Sequence, residues 1–136
     1  MTDLSITAAN VVRGTNAKIE HGQAGAAITA GQVVYRDTAD GEYKLADTNS
    51  GTAAVRSPRG IALNNASDGQ PMTIIREGDV TIGASITAGV AYYLSATPGG
   101  IAPVADLATG AYPVVLGIAK SATVLAVKIN ESGAAL

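Results

Sequence analysis

Ile28-Thr29-Ala30-Gly31-Gln32-Val33-Val34-Tyr35 is answered, later in the chain, by Ile86-Thr87-Ala88-Gly89-Val90-Ala91-Tyr92-Tyr93. The echo runs on beyond both stretches. Leu45-Ala46-Asp47 returns as Val104-Ala105-Asp106, and Gly60-Ile61-Ala62 returns as Gly117-Ile118-Ala119, at a nearly constant spacing. Self-similarity held at one spacing marks a duplicated structural unit. The unit reads as β: Thr, Val and Ile recur in short runs between turn residues, and 16 glycines punctuate the chain. That pattern outweighs the helix preference of the many alanines.

In each copy two short runs flank a turn. Residues 32–36 and 42–46 enclose Asp37-Thr38-Ala39-Asp40-Gly41, whose Asp-Gly supplies the positive-φ position of a hairpin loop. Residues 90–95 and 101–105 enclose Ala96-Thr97-Pro98-Gly99-Gly100 in the same way. A Gly-Ile-Ala strand and one further strand, at 72–76 and 124–129, complete each copy. The copies differ in the turn before that last strand, which spans residues 64–71 in the first and only Lys120-Ser121-Ala122 in the second. The longer version predicts a protruding loop, a common place for contacts.

Val80-Thr81-Ile82 predicts a strand linking the units, with Glu77-Gly78-Asp79 as a turn ahead of it. Residues 1–27 lie outside the duplication and are expected to form an extended N-terminal arm, with strands at 5–7 and 17–20 and a flexible connector over 22–27. A short helical turn is expected at 106–110 and a loose tail at 132–136. The expected fold class is all-β, a small β-barrel or sandwich built from two similar β-hairpin-rich units (28–83 and 86–131). These form one domain, 28–131, with the arm in front and little helix.

A chain of 136 residues can bury enough surface for one core. Its apolar 47% contains no Phe, Trp or Cys, so small side chains must fill that core, and association with other chains is expected to add stability. Charged residues make up 15%, against about a quarter in ordinary soluble domains. Nine basic and eleven acidic side chains leave a net charge of −2, which argues against a nucleic-acid partner. Met1-Thr2-Asp3-Leu4 has neither the basic nor the apolar region of a signal peptide, and no apolar run is long enough to span a membrane. A soluble protein made in the cytoplasm, with no membrane partner, is expected.

Catalytic and metal-binding constellations are not legible. Without cysteine there is no thiolate site, and His21 alone builds neither a dyad nor a multi-His cage. Asp37, Asp40 and Glu42 lack the alternating ligands and closing Glu of a calcium loop. Asn65-Ala66-Ser67 fits a glycosylation triplet but has no secretory signal in front of it. Arg56, Arg59 and Arg76 form the nearest thing to a basic cluster, and without interleaved aromatics they fit salt bridges or carboxylate docking at a protein interface. Tyr92 and Tyr93 must point to opposite faces of their strand, one inward and one outward.

Ile28-Thr-Ala-Gly-Gln-Val-Val-Tyr-Arg-Asp-Thr-Ala-Asp-Gly41, Gly60-Ile-Ala-Leu-Asn-Asn-Ala-Ser-Asp-Gly-Gln-Pro71 and Ile86-Thr-Ala-Gly-Val-Ala-Tyr-Tyr-Leu-Ser95 resemble the capsid decoration (cement) proteins of tailed bacteriophages. The resemblance covers most of the chain from about residue 28 onward and is one of phrase rather than of an active-site motif. It implies a β-rich virion protein, made in the bacterial host, that sits on the capsid exterior. There it would bind the major capsid protein and itself, as a homotrimer, and clamp neighbouring capsid subunits against internal pressure. Neither catalytic residues nor a cofactor come with the family, so an enzyme is not expected.

Two other roles fit the composition. One is a different virion part, a tail-tube or baseplate component; the other is a carbohydrate-binding β module, which would need an aromatic platform from five Tyr alone. The candidate partner-facing residues are Leu4, Ile6, Val11, Val12 and Arg13 of the arm, with Arg56 and Arg59. Asn64, Asn65 and Asp68 of the long loop, and Tyr92, complete the set.

Overall fold

The computed structural model describes residues 3–103 and 109–135. Among them are ten strands: β1 (Val11–Arg13), β2 (Lys18–Gln23), β3 (Val33–Arg36), β4 (Tyr43–Leu45), β5 (Gly60–Ala62), β6 (Pro71–Ile82), β7 (Ala91–Leu94), β8 (Ile101–Pro103), β9 (Val114–Ala119) and β10 (Val124–Glu131). They make a curled antiparallel sheet in the order β4-β3-β5-β6-β10-β9-β7-β8, with β1 and β2 paired to the other edge of β6. The protein is all-β, in keeping with a barrel or sandwich class. Its only helical pieces among the described residues are two short 3-10 turns, Ala8–Asn10 and Ala53–Arg56.

The duplication holds in the strand registers, with Pro103 and not the echoed Val104 in the place of Leu45. Val34 faces Leu45 and Arg36 faces Tyr43 in the first hairpin, as Tyr92 faces Pro103 and Leu94 faces Ile101 in the second. Val33 and Val34 then meet Ile61 and Gly60, just as Ala91 and Tyr92 meet Ile118 and Gly117. The two Gly-Ile-Ala glycines are kept for one reason. A Cβ on Gly60 would collide with the Ile75 carbonyl oxygen, and one on Gly117 with the Ala126 carbonyl oxygen, at matching places on the next strand.

Equal registers do not bury equal faces. Side chains alternate along a strand, and in the first unit both faces are covered: Val33, Ile61 and Ile75 enter the main apolar cluster, while Val34, Ala62 and Ile74 enter a second one with Ile28, Tyr43 and Met72. In the second unit Tyr92, Ala119 and Leu125, the counterparts of Val34, Ala62 and Ile74, point into the main cluster. Ile118, the counterpart of buried Ile61, is left 52% exposed.

Residues 64–71 do not stand free as the sequence predicts: they are bonded to residues 24–30, and Ala66 enters the second cluster. Ile28 and Ala66 exchange backbone hydrogen bonds of 2.9 Å, the Ala24 amide donates to the Gln70 carbonyl (2.9 Å), and the Gly69 amide donates to the Ala24 carbonyl (2.7 Å). Asn65 Oδ1 accepts from the Ala30 amide at 2.8 Å. With Val34 and Ile74 turned outward, the first unit needs an apolar lid, and buried Ala24, Ile28 and Ala66 are that lid. The connector predicted at 22–27 is therefore part of a packed layer.

The expected arm is also part of the sheet. Residues 11–23 run antiparallel along nearly the whole of β6, with Val11 opposite Ile82 and Gln23 opposite Pro71. Between them, residues 14–17 step around an irregularity in β6, where Glu77-Gly78-Asp79 continues the strand instead of turning. Arg76 is skipped, since Lys18 pairs with Glu77 and Ile19 with Ile75. A bulge of this kind shifts the side-chain alternation, so odd-numbered Ile75 and even-numbered Val80 and Ile82 all reach the main cluster. Gly78 sits there at φ +109, so close to Asn16 and Ala17 that no Cβ fits. The Gly14 amide donates to the Asp79 carbonyl (2.7 Å), and Asn16 Oδ1 accepts from the Asp79 amide (3.0 Å).

Residues 5–7 form no strand. The Leu4 amide donates to the Ile101 carbonyl at 2.8 Å, which covers the edge of β8, and the chain then passes into the Ala8–Asn10 turn. The predicted strand end at 104–105 and most of the predicted helical turn, residues 106–108, lie outside the described residues.

Candidate functional site

No strand pairs with the outer edge of β1 and β2 among the described residues. Sheet edges of this kind are templates for another chain unless they are blunted. This one carries Lys18, Glu20 and His21 on β2, while β1 presents Val12, 58% exposed, beside exposed Arg13. An open groove of about 670 Å³ runs past it, lined by Val12, Arg13, Ile19, His21, Leu63 and Met72 among others. Among the described residues its lining has no carboxylate. His21 Nδ1 is 3.0 Å from Thr73 Oγ1 in a cross-strand hydrogen bond, within the ladder that pairs His21 with Thr73.

A second open groove, of about 750 Å³, lies where the two units part. β5 leaves β6 after pairing with Ile74 and Ile75, and β10 joins it only from Glu77 onward. Arg76, between them, belongs to no ladder pair. Pro58 and Arg59 form one lip of this seam cleft and Ile129, Asn130 and Glu131 the other, with Lys18, Arg76, Glu77 and Lys128 between.

Glu20 fixes Arg59 of the cleft's lining. Arg59 donates to it twice, Nη2 at 2.7 Å and Nε at 3.1 Å, and the Tyr43 hydroxyl donates a third bond. The Arg59 bonds are the main reason its carboxyl is held down at about 2, against a partial burial that pushes the other way. Burial first, and then the Glu20 carboxylate, push the Tyr43 phenol up to about 12. Lys18 binds Glu77 at 3.0 Å and lowers its carboxyl in turn. β2, β4, β6 and the residues before β5 are thereby tied at one polar node.

The partner-facing residues read from the sequence scatter. Val11 and Tyr92 are buried in the main cluster and are no part of a free surface, which corrects their assignment; the Tyr92 hydroxyl accepts from the Thr87 amide at 3.0 Å. Leu4 and Ile6 are half-buried against the same cluster. Arg56 stacks on the Tyr112 ring at 3.8 Å and donates to the Ser50 carbonyl at 2.7 Å. Arg59 is occupied by Glu20. Asn64 accepts from the Thr73 amide and Asn65 from that of Ala30, so both serve the loop. Val12, Arg13 and Asp68 remain at the surface.

Lys18, Glu20, Glu77 and Lys128 were not among those candidates. Lys18 and Glu20 sit on a predicted strand with alternating polarity, a signal that was there to be found, whereas Lys128 meets Glu77 only through the β6–β10 register.

No protein-family model and no curated protein matches the chain.

Among the described residues no three His, Asp or Glu side chains gather as a metal site. At the acidic hairpin turn a cation is already built in: Lys44 Nζ lies 2.7 Å from Asp37 and 3.1 Å from Asp40.

Proposed function

We propose that this chain is a head decoration protein, which binds the exterior of the mature capsid as a homotrimer and braces neighbouring major capsid protein subunits. The phrases from residue 28 onward that resemble the cement proteins support the family part of this reading. The open β1–β2 edge, with exposed Val12 beside a carboxylate-free groove, carries the interaction part. An extended segment of a capsid subunit can add to such an edge through main-chain hydrogen bonds. A rigid, doubled sheet suits a brace, because load on the edge passes directly into β6, the longest strand and the one shared by both units.

Purified full heads test this. The chain is expected to co-purify with them at a fixed ratio to the major capsid protein. Recovery with isolated tails instead would assign it to the tube or baseplate, and a monomer absent from particles would end the structural-protein reading.

A further inference from the structure

We infer that the seam cleft is a docking site for a carboxylate-bearing extended segment of the partner protein. Its partner rests on the decoration reading, while its chemistry does not. Four cations from four places in the chain, Lys18, Arg59, Arg76 and Lys128, converge on this one concavity of a chain whose net charge is −2. Two of them are already satisfied: Arg59 by Glu20 at 2.7 Å and Lys18 by Glu77 at 3.0 Å.

The other two are held loosely or not at all. Among the described residues the carboxylate within reach of Arg76 is Glu20, at 4.0 Å, and Glu20 already accepts from Arg59 and Tyr43, while the Arg76 side chain is 48% exposed. Lys128 is exposed and faces Glu77 across the ladder, yet among the described residues no carboxylate lies within 4.0 Å of its amine. The surplus of positive charge is held on β6 and β10, two paired strands, and not on mobile loops. Charge complementarity of this kind selects the partner and steers its approach. An open concavity accepts an extended segment, and Arg76, outside every ladder among the described residues, leaves a break in the pairing between β5 and β10.

The probes are a fluorescent peptide of alternating Glu and Ala and its Gln-Ala counterpart, titrated against the intact chain by anisotropy. The Glu peptide is expected to bind and the Gln peptide not, with binding lost near 1 M salt, where charges are screened beyond ~3 Å. Arg76→Gln with Lys128→Gln is expected to weaken the Glu peptide by about tenfold. Glu131→Gln, which removes a like charge from the rim, is expected to tighten it by roughly twofold, a gain that misfolding cannot mimic. Equal binding of both peptides, or a double variant that binds as well as the parent, overturns the site.

Head binding separates the two proposals. A parent that sediments with heads while the double variant does not supports both. Peptide binding through Arg76 and Lys128 without any head binding supports the cleft and refutes decoration. Equal head binding by parent and double variant overturns the cleft as the seat of the capsid partner.

Discussion

Glu20→Gln isolates the charge at the node between β2, β4 and β6. The substitution keeps the shape and an acceptor for Tyr43, and removes only the ionised carboxylate that Arg59 grips twice. A carboxyl whose ordinary value is 4.5 and which the fold holds at about 2 contributes stability on the order of 3 kcal/mol. Its side chain keeps 19% of its exposure, and that contact with water trims the figure to roughly 2 kcal/mol. Because the folded value is depressed, this contribution is complete above pH 4.5 and is lost as the pH falls toward about 2. Urea unfolding of parent and variant at about pH 7 and about pH 2.5 reads it directly. The variant is expected to be less stable by roughly 2 kcal/mol at the higher pH, with Tm lower by about 6 °C, and by only about 0.5 kcal/mol at the lower pH, where the folded carboxyl is still partly ionised. A penalty of the same size at both values would refute the reasoning, since it would reflect packing and not charge.

Other consequences follow from the register and the lid. Gly117→Ala and Gly60→Ala each press a methyl group onto a neighbouring carbonyl, and each is expected to cost about 2–4 kcal/mol by thermal unfolding; a neutral result at either would contradict the matched registers. Asn65→Ala strands the Ala30 amide and should cost about 1–2 kcal/mol, whereas a freely protruding loop would lose nothing. Val12→Asp should leave Tm within about 1 °C of the parent, since the side chain is exposed, while abolishing head binding. Unchanged binding would remove the β1–β2 edge from the capsid contact. Deleting residues 1–20 is not an equivalent experiment, because β1 and much of β2 are structural strands of β6's sheet.

The two hairpins could be read from the sequence because their determinants are local. Asp40-Gly41 and Pro98-Gly99-Gly100 mark their turns, and alternation marks their strands. The Gly-Ile-Ala strands could be read because they repeat. Glu77-Gly78-Asp79 could not, since Gly and Asp serve a bulge as well as a turn, and the choice is made by Gly14 and Asn16, far away in the chain. Residues 64–71 look like a projecting loop because they are polar. Only the outward turn of Val34 and Ile74 gives Ala66, the one buried residue among them, something to cover. The seam cleft depends on where β5 ends and β10 begins along β6, a property of pairing that no single stretch encodes.

Reconstitution tests the decoration reading most directly. Expanded heads lacking this protein are titrated with the purified chain and sedimented, and bound chain is measured against the major capsid protein. Saturation at a fixed ratio, with heads that then resist heat better than bare ones, is the predicted result. A chain that stays in the supernatant at every concentration would contradict it.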